Sequence, residues 1–325
     1  MKEQKLLFEI VKTKVPDNLR LSHIVEDLLG VSADAAYRRM RGETELTFSE
    51  LVKVCRKFNV SLDDIVYGSS NQGVLFQYSP VSLSDQESYI CYLQRLLEKL
   101  KDLKSAFEKE IIFVAQVIPY YYLVKYPELA FFKLYVWSNI TERSSMTFHH
   151  FCRRLEKDRL ISIFEQMYQT QMFIPAKEIW NSQTIDTPLR MIEYYFEIGA
   201  FESKDTALSL LDQLAQLLET VKRWADDGHK GRERNTPFYQ YVCSVDLESA
   251  IMLAKREKHL SCTVRINTVD SIATDNALLC SGIQQWMDDL IVKSIQISGI
   301  SMKERVNFYM SLKNKIADSV KKIKK

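Results

Sequence analysis

Ile24-Val-Glu-Asp-Leu-Leu-Gly-Val-Ser32, then Ala36-Tyr-Arg-Arg-Met-Arg-Gly-Glu43, places two short apolar-faced helices on either side of a three-residue turn. Ile24, Val25, Leu28 and Leu29 recur at helical spacing, and Gly30 ends that run. Ser22 is expected to cap this helix and Ser32 the next, which runs to Arg41 with Gly42 just beyond. Working outward, Leu7, Phe8 and Val11 form an earlier helix stopped before Pro16. Thr47-Phe-Ser-Glu50 is a capping box opening a fourth helix with Leu51, Val52, Val54, Cys55 and Phe58 inside. Ser61-Leu-Asp-Asp64 starts a short fifth. Five helices are therefore predicted before Gly68, with a helix-turn-helix at their centre.

On a wheel of about 100° per residue the third helix divides cleanly. Ala36 and Met40 share the core side, Asp34, Arg38 and Arg41 the opposite side, and Tyr37 and Arg39 flank the core. Such an exposed polar stripe is what a groove-reading helix needs, because Arg takes both major-groove acceptors of guanine bidentately.

These runs, with Asn59-Val-Ser-Leu-Asp-Asp-Ile-Val66, resemble the lambda-repressor-like (Cro, or XRE) helix-turn-helix domain over about residues 1–67. The resemblance implies a bacterial transcriptional regulator whose third helix enters the major groove of double-stranded DNA, as a homodimer on two half-sites. It also implies that Ala33 and Asp34 lie near base edges and that Ser22 meets phosphate. The candidate DNA-binding set is Ser22, Ser32, Ala33, Asp34, Tyr37, Arg38 and Arg41. Departures from the family pattern are visible too: Glu26 stands where that family usually has Ala, and residues 1–67 carry 11 basic against 11 acidic side chains. Balanced charge limits what phosphate neutralisation supplies to a monomer. The other reading is a protein-interaction adaptor that keeps this fold without reading DNA, with Asp34 and Arg38 as an i,i+4 surface pair and a helical-repeat-like partner-binding region behind it.

At 325 residues the chain exceeds what one core usually serves. Nine glycines and seven prolines fall well below average usage of roughly 7% and 5%, which favours long helices and short connections. The expected fold class is mainly α: the five-helix domain at 1–67, a linker at 68–83, a central all-helical dimerisation or sensing domain at 84–228, and a small α+β region at 229–325. Ser84-Asp-Gln-Glu87 is expected to cap a long helix. Read as heptads, Ile90, Leu93, Leu97, Leu100, Phe107, Ile111 and Val114, with Lys104 in the seam, predict a dimerisation helix. Leu96 and Leu103 widen the stripe to that of a helix packed inside its own domain. Thr187-Pro188 reads as a cap followed by a first-turn proline, and Lys204 to Asp227 as a helix closed by Gly228.

Pro127-Glu-Leu-Ala-Phe-Phe-Lys-Leu134, Ile174-Pro-Ala-Lys-Glu-Ile-Trp180 and Met191-Ile-Glu-Tyr-Tyr195 are similar to the carboxy-terminal region of a bacterial regulator family without a characterised ligand. That similarity implies a sensing or assembly module and nothing sharper; an unknown small molecule or peptide is the expected effector. After the polar break at His229 to Asn235 the period changes. Phe238 to Val245 and Leu260 to Val269 read as strands, followed by helices from about Ile283 to Gln296 and from the Ser301-Met-Lys-Glu304 capping box to the tail.

A net charge of +2 announces no global field, and six scattered cysteines without a Cys-x-x-Cys suit reduced cytosolic thiols. The apolar run Ile111 to Val124 is shorter than the roughly 20 residues a span requires and contains Pro119, so it reads as buried core rather than membrane. No h-region follows the amino terminus, and a cytoplasmic protein is expected. His149, His150 and Cys152 are the one His/Cys cluster, but adjacent histidines on a helix diverge by about 100° and do not share a metal. Asp63-Asp64, Asp226-Asp227 and Asp288-Asp289 diverge likewise. Tyr120-Tyr-Tyr122 and the tryptophans Trp137, Trp180, Trp224 and Trp286 read as aromatic core before ligand pocket. Neither a phosphate-cradling glycine loop nor a nucleophile elbow occurs, so the sequence points to no enzyme, metal or cofactor.

Overall fold

The computed structural model describes residues 2–16, 19–58, 60, 62–66, 73–78, 80–81, 86–114, 116–142, 146–231, 235–245, 247, 250–267 and 270–325, the side chains at 63, 64, 141 and 142 excepted. Ser61, the side chains of the Asp63-Asp64 pair, half of the 68–83 stretch, Ser84, residues 232–234 and Thr268-Val269, each assigned a role by the sequence, lie outside what is described. The chain divides into two compact units, Met1–Leu75 and Phe76–Lys325.

The first unit contains α1 (Lys2–Thr13), α2 (Leu21–Leu29), α3 (Ala33–Arg41), α4 (Phe48–Phe58) and α5 (Leu62–Val66). Its core joins Leu7, Phe8, Val11, Val25, Leu29, Ala36, Val54, Phe58 and Ile65, so every helix supplies at least one buried side chain. Gly30 and Gly42 close α2 and α3 in the left-handed conformation, at φ +67° and +70°. A side chain there would be strained, which fixes both turns. The Thr47 box forms in full: the Glu50 amide donates to Thr47 Oγ1 at 3.2 Å, and the Thr47 amide to Glu50 Oε2 at 2.9 Å.

The second unit runs β1 (Gln77–Tyr78), α6 (Gln86–Ser105), β2 (Lys109–Val114), α7 (Tyr120–Leu123), α8 (Pro127–Glu142), α9 (Phe148–Arg154), α10 (Lys157–Gln171), β3 (Ala176–Trp180), α11 (Asp186–Glu197) and α12 (Lys204–Asp227). It continues with β4 (His229–Lys230), β5 (Thr236–Val242), β6 (Ile251–Arg256), β7 (His259–Arg265), β8 (Ser271–Thr274), α13 (Ala277–Val292), β9 (Ile295–Gln296) and α14 (Met302–Lys324). Among the described residues the strands form one nine-stranded sheet in the order β1-β8-β7-β6-β2-β3-β5-β4, with β9 also on β5. β2, β3 and β5 are mutually parallel and the other pairs antiparallel. The parallel pairs require long crossovers, supplied by α7–α10 between β2 and β3 and by α11 and α12 between β3 and β5.

This sheet overturns the expected fold class. The segment expected to be an all-helical central domain contributes β2 and β3, which lie at the middle of the sheet, and the segment expected to be a small α+β element contributes the strands on both sides of them. Alternation within each strand explains the two faces. Ile111 and Phe113 of β2 and Ala176 and Trp180 of β3 enter the larger core, covered by most of the helices; Ile112, Val114 and Ile179 enter a second core, covered by α13.

The heptad reading ends where this sheet begins. Helix α6 stops at Ser105, so Ile111 and Val114 belong to a strand, and Phe107 is 94% exposed. Ile90, Leu93, Leu97, Leu100 and Leu103 are buried in their own unit, and the seam is filled from within the chain. At α11 the first residue is Asp186, the preceding Ile185 has no capping side chain, and Thr187-Pro188 falls inside the first turn. α13 lies earlier than expected, capped by Asn276, whose Oδ1 accepts from the Leu279 amide at 3.0 Å. Ser301 precedes α14 at φ +56° without a side-chain cap. Trp137, Trp180 and Trp224 are buried, whereas Trp286 is partly exposed. Among the described residues no helix is long and apolar enough to cross a membrane.

Candidate nucleic-acid interface

Helix α3 is held from behind, and its other side is free. Gln4 on α1 donates from Nε2 to the Arg39 carbonyl at 2.7 Å and the Thr44 carbonyl at 2.8 Å, while its Oε1 accepts from the Leu46 amide at 3.0 Å. One side chain thus satisfies the end of α3 and the loop after it, where helix carbonyls lack partners. Arg39 reaches across to α4: its Nε and Nη2 meet Glu50 Oε1 at 3.1 and 3.0 Å. Burial alone would raise the Glu50 carboxyl, but the Thr47 amide and the Arg39 guanidinium together hold it below the ordinary glutamate value. Because Glu50 also closes the α4 capping box, one carboxylate ties two helices together.

The opposite side carries Ala33, Tyr37, Arg41, Asp34 and Arg38, in that angular order, over an arc of about 140° at 100° per residue. All five are exposed. Arg38 Nε lies 3.0 Å from Asp34 Oδ2, and Arg41 Nη1 lies 3.7 Å from Glu43 Oε1; the two arginine side chains remain 60% and 71% accessible. Pairs so exposed are worth about 0–1 kcal/mol, so either guanidinium can exchange its carboxylate for another acceptor at small cost. Ser32 caps α3, its hydroxyl accepting from the Ala35 amide at 3.4 Å, and is itself exposed.

Ser22 does not join this set. α2 begins at Leu21 after Arg20, which offers no side-chain cap, and Ser22 is buried inside the first turn. The spacing Ser22, Val25, Leu29 puts the serine on the inward stripe, a signal that its capping chemistry hides. Arg20 is instead the exposed side chain at that helix start, with exposed His23 one turn on. Sequence reasoning also missed the Gln4 clamp and the Arg39–Glu50 brace. Neither follows a local period, since Gln4 acts on residues about forty positions away. Glu26, half-buried, presents its carbonyl to the Gly30 and Val31 amides at 2.8 and 3.3 Å, and so forms part of the turn.

In comparison with protein families, residues 8–89 match the BetR domain. This is a helix-turn-helix-type DNA-binding domain family, so the matched region has a DNA-binding, regulatory character. The match covers α2, α3 and α4 entirely and extends to the first residues of α6. No curated protein and no solved structure matches the chain.

Proposed function

We propose that the chain is a cytoplasmic, one-component transcription regulator of lambda-repressor (XRE) type, in which α3 reads the major groove of duplex DNA and residues 76–325 sense or assemble. Two copies set their α3 helices in successive major grooves about one helical turn apart. Arg38 and Arg41 take guanine or phosphate acceptors, Asp34 accepts from a cytosine amine, and Ala33 and Tyr37 lie against the groove wall. Arg20, in place of Ser22, meets the backbone at the start of α2. The reading involves no catalytic step. It rests on the exposed Asp34–Arg38–Arg41 stripe standing on a helix whose back is pinned by Gln4 and the Arg39–Glu50 pair.

Selection from random duplexes, followed by gel-shift titration of the selected site, tests it. Arg38→Ala should weaken binding about tenfold to a hundredfold, the range for losing one bidentate base contact, while the circular dichroism spectrum stays unchanged. Equal affinity of variant and parent at low salt would remove Arg38 from the interface. A second reading, the protein-interaction adaptor, is favoured by the Asp34–Arg38 pair at 3.0 Å and the charge balance of residues 1–67. It predicts a shallow salt dependence and no sequence preference, where a DNA reader shows a steep one.

A further inference from the structure

Two half-buried cations in the second unit stand beside tyrosines, and among the described residues no carboxylate forms an ion pair with either. Lys133, on α8 between buried Phe132 and Leu134, is half-buried, and its Nζ lies 5.3 Å from the centre of the Tyr120 ring. Arg265 ends β7 opposite Ser271 of β8. Its neighbour Val264 packs into the α13 side of the sheet, so Arg265 turns to the side that α6, α7 and α8 cover. It too is half-buried. Among the described residues no Asp or Glu forms an ion pair with Lys133 or Arg265, although the chain makes such pairs freely elsewhere. Burial, then the nearby Arg265 charge, pushes the Lys133 ammonium well below the usual lysine range; burial likewise lowers Arg265, against the fields of Tyr92 and Tyr121.

Tyrosines stand beside both cations. The Tyr121 hydroxyl is buried and has no hydrogen-bond partner among the described residues, which is costly for a polar group in a core. It lies close enough to Arg265 for each to act on the other's titration. Tyr89 and Tyr120 bond hydroxyl to hydroxyl at 2.6 Å, and Tyr92 stacks beside Tyr89 with centroids 6.4 Å apart. Asp270, whose field reaches Tyr92, accepts at Oδ2 from Tyr78 at 3.3 Å and Asn267 at 2.9 Å, and its buried Oδ1 has no partner among the described residues.

We propose that Lys133, Arg265 and the Tyr121 hydroxyl form the binding site of a small organic anion, its carboxylate or phosphate head between the two cations and an aromatic or otherwise planar body against the Tyr120 and Tyr92 rings. The chemistry follows from what is missing: among the described residues two positive charges and a buried hydroxyl have no acceptor, and a guanidinium fits carboxylate and phosphate oxygens bidentately. The site gives the sensing half of the proposed function a ligand class. It belongs wholly to residues 76–325, so its failure and the failure of DNA reading are separately visible.

The test is thermal unfolding and calorimetric titration of the full chain with benzoate, phenyl phosphate and inorganic phosphate, each against sodium chloride of equal ionic strength. A saturable rise in the unfolding midpoint with benzoate or phenyl phosphate, above the salt control, is expected, and the larger response identifies the head group. Lys133→Met and Arg265→Met should each weaken that binding about tenfold or more, and Tyr121→Phe by a smaller factor. Without ligand, Lys133→Met should unfold at the same temperature as the parent or higher, because it removes an unpaired recessed charge. The proposal is overturned if no anion exceeds the salt control. It is equally overturned if the Lys133→Met/Arg265→Met chain responds as the parent does, or if Lys133→Met alone lowers the ligand-free midpoint while leaving the benzoate response unchanged.

Discussion

Glu178 stands at the middle of β3, wholly buried on the side of the sheet that faces the larger core. The Tyr122 hydroxyl and the Trp180 indole N–H, the latter at 2.8 Å, donate to it. Across the cluster, buried Lys230 donates to Gln171 Oε1 at 3.0 Å and the Ile174 carbonyl at 3.2 Å. Burial pushes the Glu178 carboxyl above the usual carboxylate range, opposed by the Lys230 charge and the two donors; burial pushes Lys230 down, opposed by Glu178. The sign for stability follows. Unfolded glutamate titrates near about 4.3, so between that value and its raised native one the folded chain keeps a proton that the unfolded chain has lost. Stability is therefore fully present at acid pH and declines as pH rises through the native value. Lys230 has the opposite sense: its contribution grows as pH rises from its depressed native value towards the ordinary lysine range. The lowered carboxylates of Glu50, Glu87, Glu193 and Asp226 have finished titrating by about pH 5. Between there and neutral pH, urea midpoints should fall in the parent and Glu178→Gln should flatten that slope; parallel slopes would show that the carboxyl titrates normally. None of this cluster was legible in Ile174-Pro-Ala-Lys-Glu-Ile-Trp180, where a lone glutamate between apolar residues looks like a solvated position. Its partners come from α7, α10 and β4, which only the fold assembles.

Elements were legible where a local rule sufficed. Thr47 and Glu50, three residues apart before an apolar run, announce α4, and Gly30 and Gly42 mark the ends of α2 and α3 by the one conformation that glycine adopts freely. The capping reading of Ser22 failed because burial of the Val25–Leu29 stripe moves the helix start back to Leu21. β2 was read as the tail of a heptad helix because Ile111 and Val114 also satisfy an a/d spacing. After Lys109-Glu110, its apolar Ile111-Ile-Phe-Val114 run, rich in β-branched residues, suits a strand covered on both faces, a pattern that periodicity alone does not separate from buried helix. At this scale Glu50 is the informative position, serving both the α4 cap and Arg39. Thr47→Ala should destabilise the first unit by about 1 kcal/mol, the usual cost of a lost cap. Glu50→Ala should cost about 2–3 kcal/mol, because it also strands a largely covered guanidinium, and hydrogen bonds to charged groups carry about 1.5–3 kcal/mol. Denaturant unfolding of the two variants checks this, and equal losses would mean that the Arg39–Glu50 contact contributes nothing.

For the whole molecule, sheet order carries consequences that no single segment reveals. β3 is bonded on one edge to β2 and on the other to β5, and β2 on its far edge to β6. Sequence positions 109–114 and 176–180 are thus locked between strands that begin at Thr236 and Ile251. A boundary near residue 228, natural from the polar break and the change of period, cuts through the middle of one sheet. A chain ending there would expose the open edges of β2 and β3, with main-chain donors and acceptors unpaired and the Ile112, Val114 and Ile179 face without the α13 layer. It would also lose α14, whose Tyr309 hydroxyl donates to Gln240 Oε1 at 2.7 Å and whose Arg305 Nε meets Asp226 at 2.5 Å. Residues 76–325 expressed alone should therefore unfold in a single cooperative transition, whereas residues 76–228 should aggregate or remain without fixed tertiary structure. Near-ultraviolet circular dichroism and amide exchange distinguish the outcomes. A cooperatively folded 76–228 fragment would mean that its helices build a self-sufficient core and that the crossing strands are dispensable. The cores argue otherwise: the larger one draws on α6 at one end of this unit and α14 at the other, so both ends of the segment must be present before either face of the sheet is closed.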